Sequence, residues 1–506
     1  MARRGRARQT PDDGSHVPFD YRNLKNTYPR KTVFSEDEVE HIHRTALRIL
    51  QELGIRVLLD EARETLVRSG GTEGDDKMVT LPADLVSEWV AKAPSEFVLH
   101  GRSPKRNVRV DAETVHFTAG AGCPNITDNA HGHRPGSISD YIRTVKLQQN
   151  FDIIAKLGPC VEPQDIPLHL RHLRIMEEQL TLSDKAIFVW ARGPEQTADC
   201  LECVRLAKGL SPEEFEASPH CFTVINTNSP RQLDRPMSQG IMDFARAGQP
   251  SVITPFCLAG AMAPITTSGA LTLSHAEALA GITLAQIVRP GVPVVYGAFS
   301  SNVDMKSGAP VFGTPEHMRA NFGAGQMARR LNIPWRSAAG TAANIADGQA
   351  AAETQSALWG NLLAGANFVY HAAGWLEGGL VFGVEKFIAD IEVLQTVAQA
   401  MAPVDASDAA IGFDNIASVS PGGHFFDAPQ TMELYANAFY EPLVHDWSNF
   451  GQWSESGRQT NDMRAAKVAD RVINEFEQPP MDAGHRQALT EFVSRRRNEG
   501  GAPIMD

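Results

Sequence analysis

SVITPFCLAGAMAPITTSGALTLSHAEALAGITLAQIVRPGVPVVYG (251–297) holds the unit on which the fold turns. SVITP (251–255) is a short apolar, β-rich run, and FCLAGAMAP (256–264) is a loop of small residues. AEALAGITLAQIV (276–288) is helix-like, and RPGVP (289–293) is a Pro-bearing turn into a second run, PVVYG (293–297). Strand, helix, strand at this interval predicts a right-handed βαβ unit with parallel strands.

Comparable runs lie on either side: VHFT (115–118), IIAKL (153–157), AIFVWA (186–191), CFTVIN (221–226), IPWRS (333–337) and NFVYH (367–371). That makes eight in all, spaced by 30 to 42 residues, with helix-like stretches such as 167–180 and 315–331 in the gaps. Eight such units predict an α/β chain closed as a (β/α)₈ TIM barrel, in preference to an open sheet. Segments after the runs are rich in Gly, Ala, Ser and Asn, whereas those before them are short Pro turns. The asymmetry predicts a broad cavity at the C-terminal mouth, where functional residues gather.

Upstream, SEDEVEHIHRTALRILQELGI (35–55) carries a capping box, with Ser35 answered by Glu38 before apolar residues at helical spacing. The expected organisation is a flexible basic arm (1–34), a helical N-terminal extension (35–110), the barrel (111–400), and a C-terminal cap with a helical tail (401–506).

The 506 residues carry 47 Lys+Arg against 60 Asp+Glu, a net charge of −13, with no basic stripe, which argues against nucleic-acid binding. No run of about 18 apolar residues occurs, so no membrane span is expected. Six cysteines form no disulfide framework and fit a reducing cytoplasm. Cys200 and Cys203 form a C-x-x-C on a helix-like stretch without a second pair, so buried helix cysteines are expected there and no tightly bound metal. The pairs His169/His172 and His131/His133 lack carboxylate partners at useful spacing and read as surface or capping residues.

The mouth is aromatic and acidic. Trp335, Tyr370, Trp375, Phe299, Tyr296 and Phe382 lie in or near the last three runs, interleaved with Asp304, Asp347, Glu353, Glu377, Asp390 and Glu392. Aromatic faces with a few acids suit a fixed cation, whose attraction to a ring requires no hydrogen bond. Packed aromatics and helix-capping acids would leave the same pattern.

Residues 251–308, ADGQAAAET (346–354), 362–394 and GGHFFDAPQT (422–431) together resemble the trimethylamine methyltransferase family, the corrinoid-dependent methylamine and betaine methyltransferases. The resemblance runs in chain order from about residue 35 to the C-terminus. It implies a (β/α)₈ barrel that passes a methyl group from an amine to the corrinoid (cobalamin) of a separate partner protein. Founding members carry pyrrolysine after the seventh strand, in a setting that Asp347, Gln349, Ala350 and Glu353 preserve here, while Ala351 stands where the family has Gly. Asn344 takes the pyrrolysine position. An amide cannot replace the electrophilic imine, and pyrrolysine-free relatives are associated with glycine betaine and other quaternary amines.

The resemblance therefore implies a small quaternary ammonium substrate and a corrinoid-protein partner, in a homo-oligomeric cytoplasmic enzyme. Trp335, Tyr370, Trp375, Phe299 and Tyr296 are the candidate cage, with Gln349 beside it. Arg336 or Arg192 would take a substrate carboxylate bidentately, unless a neighbouring acid already pairs with it. Asn344, Glu377, His371 and Asp304 are the candidate catalytic or counter-charge residues, and Gly423 and His424 the candidate contacts for the corrinoid. A barrel acting on a sulfonium, thioether or folate, or a non-catalytic quaternary-amine binder, would be built on the same residues.

Overall fold

The computed structural model describes residues 19–505. Seven of the expected runs pair into one parallel sheet: β1 (His116–Phe117), β2 (Ile187–Phe188), β3 (Cys221–Ile225), β4 (Ser251–Ile253), β5 (Val294–Gly297), β6 (Trp335–Ala338) and β7 (Phe368–Tyr370). The spatial order is β1-β7-β6-β5-β4-β3-β2. The eighth run, 153–157, is no regular strand, but it makes one parallel bridge to each sheet edge, Phe117 to Ile154 and Lys156 to Ala186.

The helix of the 251–297 stretch, Thr267–Val288, is long and apolar enough to cross a membrane. Here it is buried among the protein's own helices, Glu36–Arg48, Ala83–Val90, Arg235–Arg246 and Pro315–Leu331. Covered on all sides, it needs no polar stripe, which is why its helical periodicity is faint.

The extension is mixed and not simply helical. The Ser35–Glu38 capping box forms, but Ile55–Val57, Met78–Thr80 and Thr72–Glu73 join Gln232–Leu233 in a small sheet. The hairpin Phe97–Leu99/Val108–Val110 caps the N-terminal end of the large sheet, packing Leu99, Val108 and Val110 on Phe188, Phe222, Val252, Val295 and Phe368. Residues 1–18 of the expected arm lie outside the described residues. The remainder is packed down, not free: Leu24 and Asn26 are buried, and Asn26 Nδ2 donates to the Leu362 carbonyl at 2.7 Å. Cys200 and Cys203 are buried on the helix Pro194–Lys208. His172, read as a surface residue, is buried and bonded through Nε2 to Asp199 at 3.0 Å.

Burial holds His116 and His317 at a pKa of about 4. As pH drops below about 6.5, the unfolded chain takes up protons that the native chain refuses. The stability these two contribute is complete above that value and is lost as pH falls towards about 4. The melting temperature should therefore fall between about pH 7 and about pH 4.5; a flat profile would contradict the burial.

Candidate active site

Side chains alternate across a strand, so a sheet covered by helices on one face divides each strand between interior and helix layer. On β6, Trp335 and Ser337 face the helices. Trp335 Nε1 donates to the Gly365 carbonyl at 2.8 Å, and Ser337 Oγ to Asn321 Oδ1 at 2.6 Å. Arg336 faces the interior and is 2% exposed. The register pairs Tyr296 with Trp335, so Tyr296 also faces the helices, its hydroxyl 3.0 Å from His275 Nδ1. Trp335 and Tyr296 are thus excluded from the expected cage by strand alternation.

Phe368 pairs with Arg336, and Tyr370 with Ala338, so both aromatics point inward. His371 follows in the left-handed region (φ 54°). This conformation is uncommon away from glycine and often marks a constrained site. It lets two consecutive side chains face the interior. The His371 ring lies 3.6 Å from that of Trp375 and 5.5 Å from that of Phe299, centroid to centroid. Phe299 stacks on Phe312 at 5.2 Å and contacts Phe256 at 5.1 Å.

Trp375 is held by glycines. A Cβ on Gly340 would stand 2.6 Å from the indole, and one on Gly379 (φ +107°) only 2.4 Å from it. The turn before it is fixed by Asp390, which accepts the Gly374 N–H at 2.9 Å and pairs with Lys386.

Arg336 is the electrostatic centre of this cluster. Its guanidinium lies 4.5 Å from the Tyr370 ring centroid and 5.2 Å from that of Phe299, and Nη2 donates to His371 Nε2 at 3.2 Å. Among the described residues it forms no ion pair, and its Nε and Nη1 have no acceptor. Arg192, the other candidate, is already paired with Glu162 at 2.9 Å. Burial lowers the Arg336 pKa to about 10, which leaves it charged at neutral pH.

An arginine can only donate, so His371 Nε2 must accept and the ring proton sits on Nδ1. That N–H is also buried without a partner among the described residues, as are Trp375 Nε1, Trp190 Nε1 and the Tyr370 hydroxyl. Burial, then the charges of Arg336 and Lys156, push the His371 pKa well down, so it stays neutral. Lys156 lies 3.7 Å from the Tyr370 ring centroid and 4.1 Å from that of Phe222, with no hydrogen-bond partner among the described residues. Tyr370, expected to cage a substrate cation, thus meets the guanidinium of Arg336 and the amine of Lys156, whose pKa burial and then the Arg336 charge push well below the usual lysine value.

Buried polar groups are normally paired. Here a buried cluster offers donors that meet no acceptor among the described residues, around a guanidinium without an acid beside it, the chemistry of an anion site. Beside it, the rings of Phe299, Phe312 and Trp375 pack together, nearly buried. Phe256, Phe312, Trp190 and Lys156 were missed in the sequence. The only signal was a lysine without an acid in the apolar run IIAKL.

The other expected residues lie elsewhere. Asp304 caps its own turn, accepting from Ser307 N at 3.0 Å and Oγ at 2.7 Å. Gln349 bonds Glu353 at 2.8 Å on an exposed helix start. Asp347 caps the helix Gly348–Ala364, and Glu353 braces the loop through Thr341 and the Ala342 N–H. Asn344 is exposed on this rim. Glu377 sits at the edge, its N–H donating to the Ala343 carbonyl at 2.9 Å and its carboxylate 3.8 Å from His133. Gly423 and His424 are exposed on the C-terminal segment, where His424 lies 3.6 Å from Asp427.

The fold and site define an α/β protein whose parallel sheet carries a buried cluster of donors and aromatic rings. Residues 2–501 match the family described as Trimethylamine methyltransferase (MTTB), and the chain belongs to that family. It is 32% identical to the glycine betaine methyltransferase of Desulfitobacterium hafniense (strain Y51), over 94% of this chain and 98% of that one. It is 30% identical to the trimethylamine methyltransferase MttB1 of Methanosarcina acetivorans, over 92% of this chain and 94% of that one. The fold is similar to that of the crystal structure of Methanosarcina barkeri monomethylamine methyltransferase (MtmB), with a TM-score of 0.52, 10% identity and 89% of each chain covered.

Proposed function

We propose that this chain is a methyltransferase for a betaine, a quaternary ammonium compound that carries a carboxylate, and that it delivers the methyl group to the corrinoid of a partner protein. We further propose that 153–157 closes the sheet into a (β/α)₈ barrel, and that the protein works in the cytoplasm. The observation that carries the reading is Arg336, buried and charged with no acid to meet it among the described residues. A substrate carboxylate satisfies its free N–H groups through charge-assisted hydrogen bonds, and His371 Nδ1–H adds a neutral donor. The cationic end then lies against Phe299, Phe312 and Trp375, where ring quadrupoles attract it. The similarity to a glycine betaine methyltransferase supports the same assignment.

The six cysteines are buried, which raises the pKa of each thiol whose shift is resolved, so none is suited to accept the methyl. A corrinoid presented over the mouth supplies the nucleophile. The exposed apolar side chains Ile265, Met305, Ile345 and Leu380, on segments that follow β4 to β7, are the surface we assign to the protein that carries it. The chain's own contribution is alignment and exclusion of water. As the C–N bond breaks, its electron pair stays on nitrogen and the amine leaves neutral, so no proton has to move. A neutral His371 suits that requirement.

The test is methylation of cob(I)alamin by the purified chain with glycine betaine, choline, trimethylamine and a carboxylate-free sulfonium. Betaine should turn over, and choline, which lacks the carboxylate, should be worse by about 10²-fold in kcat/KM. Equal rates with choline, a preference for the sulfonium, or saturable betaine binding without methyl loss would overturn the reading.

A further inference from the structure

Strand register sets interior residues of neighbouring strands at the level of Arg336. Gly297 pairs with Arg336, and Arg336 with Phe368. Ile253 pairs with Ile225 on one side and with Tyr296 on the other, so Thr254 stands beside Gly297, and its N–H donates to the Ile225 carbonyl at 2.7 Å. Val252 packs in the interior with Phe222, Val295 and Phe368. Alternation gives the next interior place on that chain segment to Thr254. Gly297 leaves room for it. A Cβ built on Gly297 would overlap Thr254 Oγ1, so the hydroxyl occupies the place of the missing side chain. Neighbouring strands lie about 4.8 Å apart, which sets this hydroxyl beside the stem of Arg336 with only Gly297 between them in the row. Thr254 is buried, and its Oγ1 has no hydrogen-bond partner among the described residues. Val224 and Phe256 are half-buried and Asn226 is exposed, so solvent reaches the mouth on this side.

We propose that Thr254 is a further substrate-binding residue, whose hydroxyl donates to the carboxylate that Arg336 holds and so contributes to the preference for a betaine. The assignment rests on the betaine reading of the site. A carboxylate offers about four acceptor positions. Arg336 Nε–H and Nη1–H and His371 Nδ1–H leave one of them open, and the Thr254 hydroxyl is the donor that meets it. Folding does not ask for this hydroxyl. Val224, Val252 and Val295 fill the interior places around it. A buried hydroxyl without a partner opposes folding where a methyl group in the same place would not.

The test is Thr254→Val, which exchanges the hydroxyl for a methyl group and keeps the branched shape. Its kcat/KM for glycine betaine should fall by about 10-fold or more, as expected for a lost hydrogen bond to a charged group. The loss should lie in KM with kcat kept, because the carboxylate takes no part in the bond that breaks. The melting temperature should be unchanged or raised. Thr254→Ser, which retains the hydroxyl, should restore most of the wild-type value. In the Arg336→Met background, Thr254→Val should cost much less than it does alone, since the two donors share one acceptor. Betaine turnover that depends on Arg336 but is indifferent to Thr254→Val overturns this inference and leaves the betaine reading standing. A chain that neither binds betaine nor removes its methyl group overturns the reading and the inference with it. A Thr254→Val variant that loses melting temperature as well as kcat/KM, or a Thr254→Ser variant equally impaired, assigns the residue to packing and overturns the inference.

Discussion

Arg336→Met is expected to lower kcat/KM for glycine betaine by about 10²-fold or more while leaving the melting temperature unchanged or raised. Truncating one side of a buried charge pair commonly costs about 2–5 kcal/mol in binding. Among the described residues, however, Arg336 has no carboxylate partner. A buried charge without its counter-ion opposes folding, and an apolar residue of similar volume commonly matches or exceeds it in stability. Activity and stability should therefore move in opposite directions. A fall in both would mean that Arg336 is a structural residue and that the carboxylate binds elsewhere. The neutral control is Arg192, whose charge is met by Glu162.

Gly379→Ala should be the most damaging single methyl addition near the site. The position has φ +107°, disfavoured for any L side chain, and the new Cβ would meet the Trp375 indole at 2.4 Å. The indole has to move, and with it the wall on which His371 stacks. Misplacement of this kind costs about 10²-fold in rate when a positioning contact shifts by an ångström. The expected signature is a drop in kcat/KM for betaine with a changed tryptophan emission and retained far-UV dichroism. Gly378→Ala, whose Cβ would approach Phe312 only to 3.7 Å, is the comparison. If both substitutions behave alike, backbone strain and not the indole is responsible.

The strand rhythm was legible because each βαβ unit repeats a simple pattern, and seven of the eight runs enter one parallel sheet. Arg336, His371, Trp375 and Phe299 were legible as a group because residues at or after strand ends collect at one face. Strand parity was not applied: Trp335 and Arg336 are neighbours in sequence but lie on opposite faces of the sheet. Tyr370 faces the interior, but the Lys156 amine that lies against its ring is more than two hundred positions away in sequence, a contact no local pattern announces. Phe256 and Phe312 depend on loop packing that carries no period. Of the other candidates, Asp304 caps its own turn and Gln349 bonds Glu353 on an exposed helix start, local roles that a short polar motif leaves open.

The hairpin Phe97–Leu99/Val108–Val110 stoppers the end of the sheet away from the mouth, with Lys156 and its aromatic neighbours filling the space above it. On the proposed reaction this imposes a kinetic order. A small molecule that enters by the mouth is sealed in once the methyl acceptor sits over that opening, so betaine must bind first. The tertiary amine product must wait until the methylated acceptor departs. Initial-rate patterns should be those of a compulsory-order mechanism, and excess acceptor should inhibit by occupying the entrance ahead of the substrate.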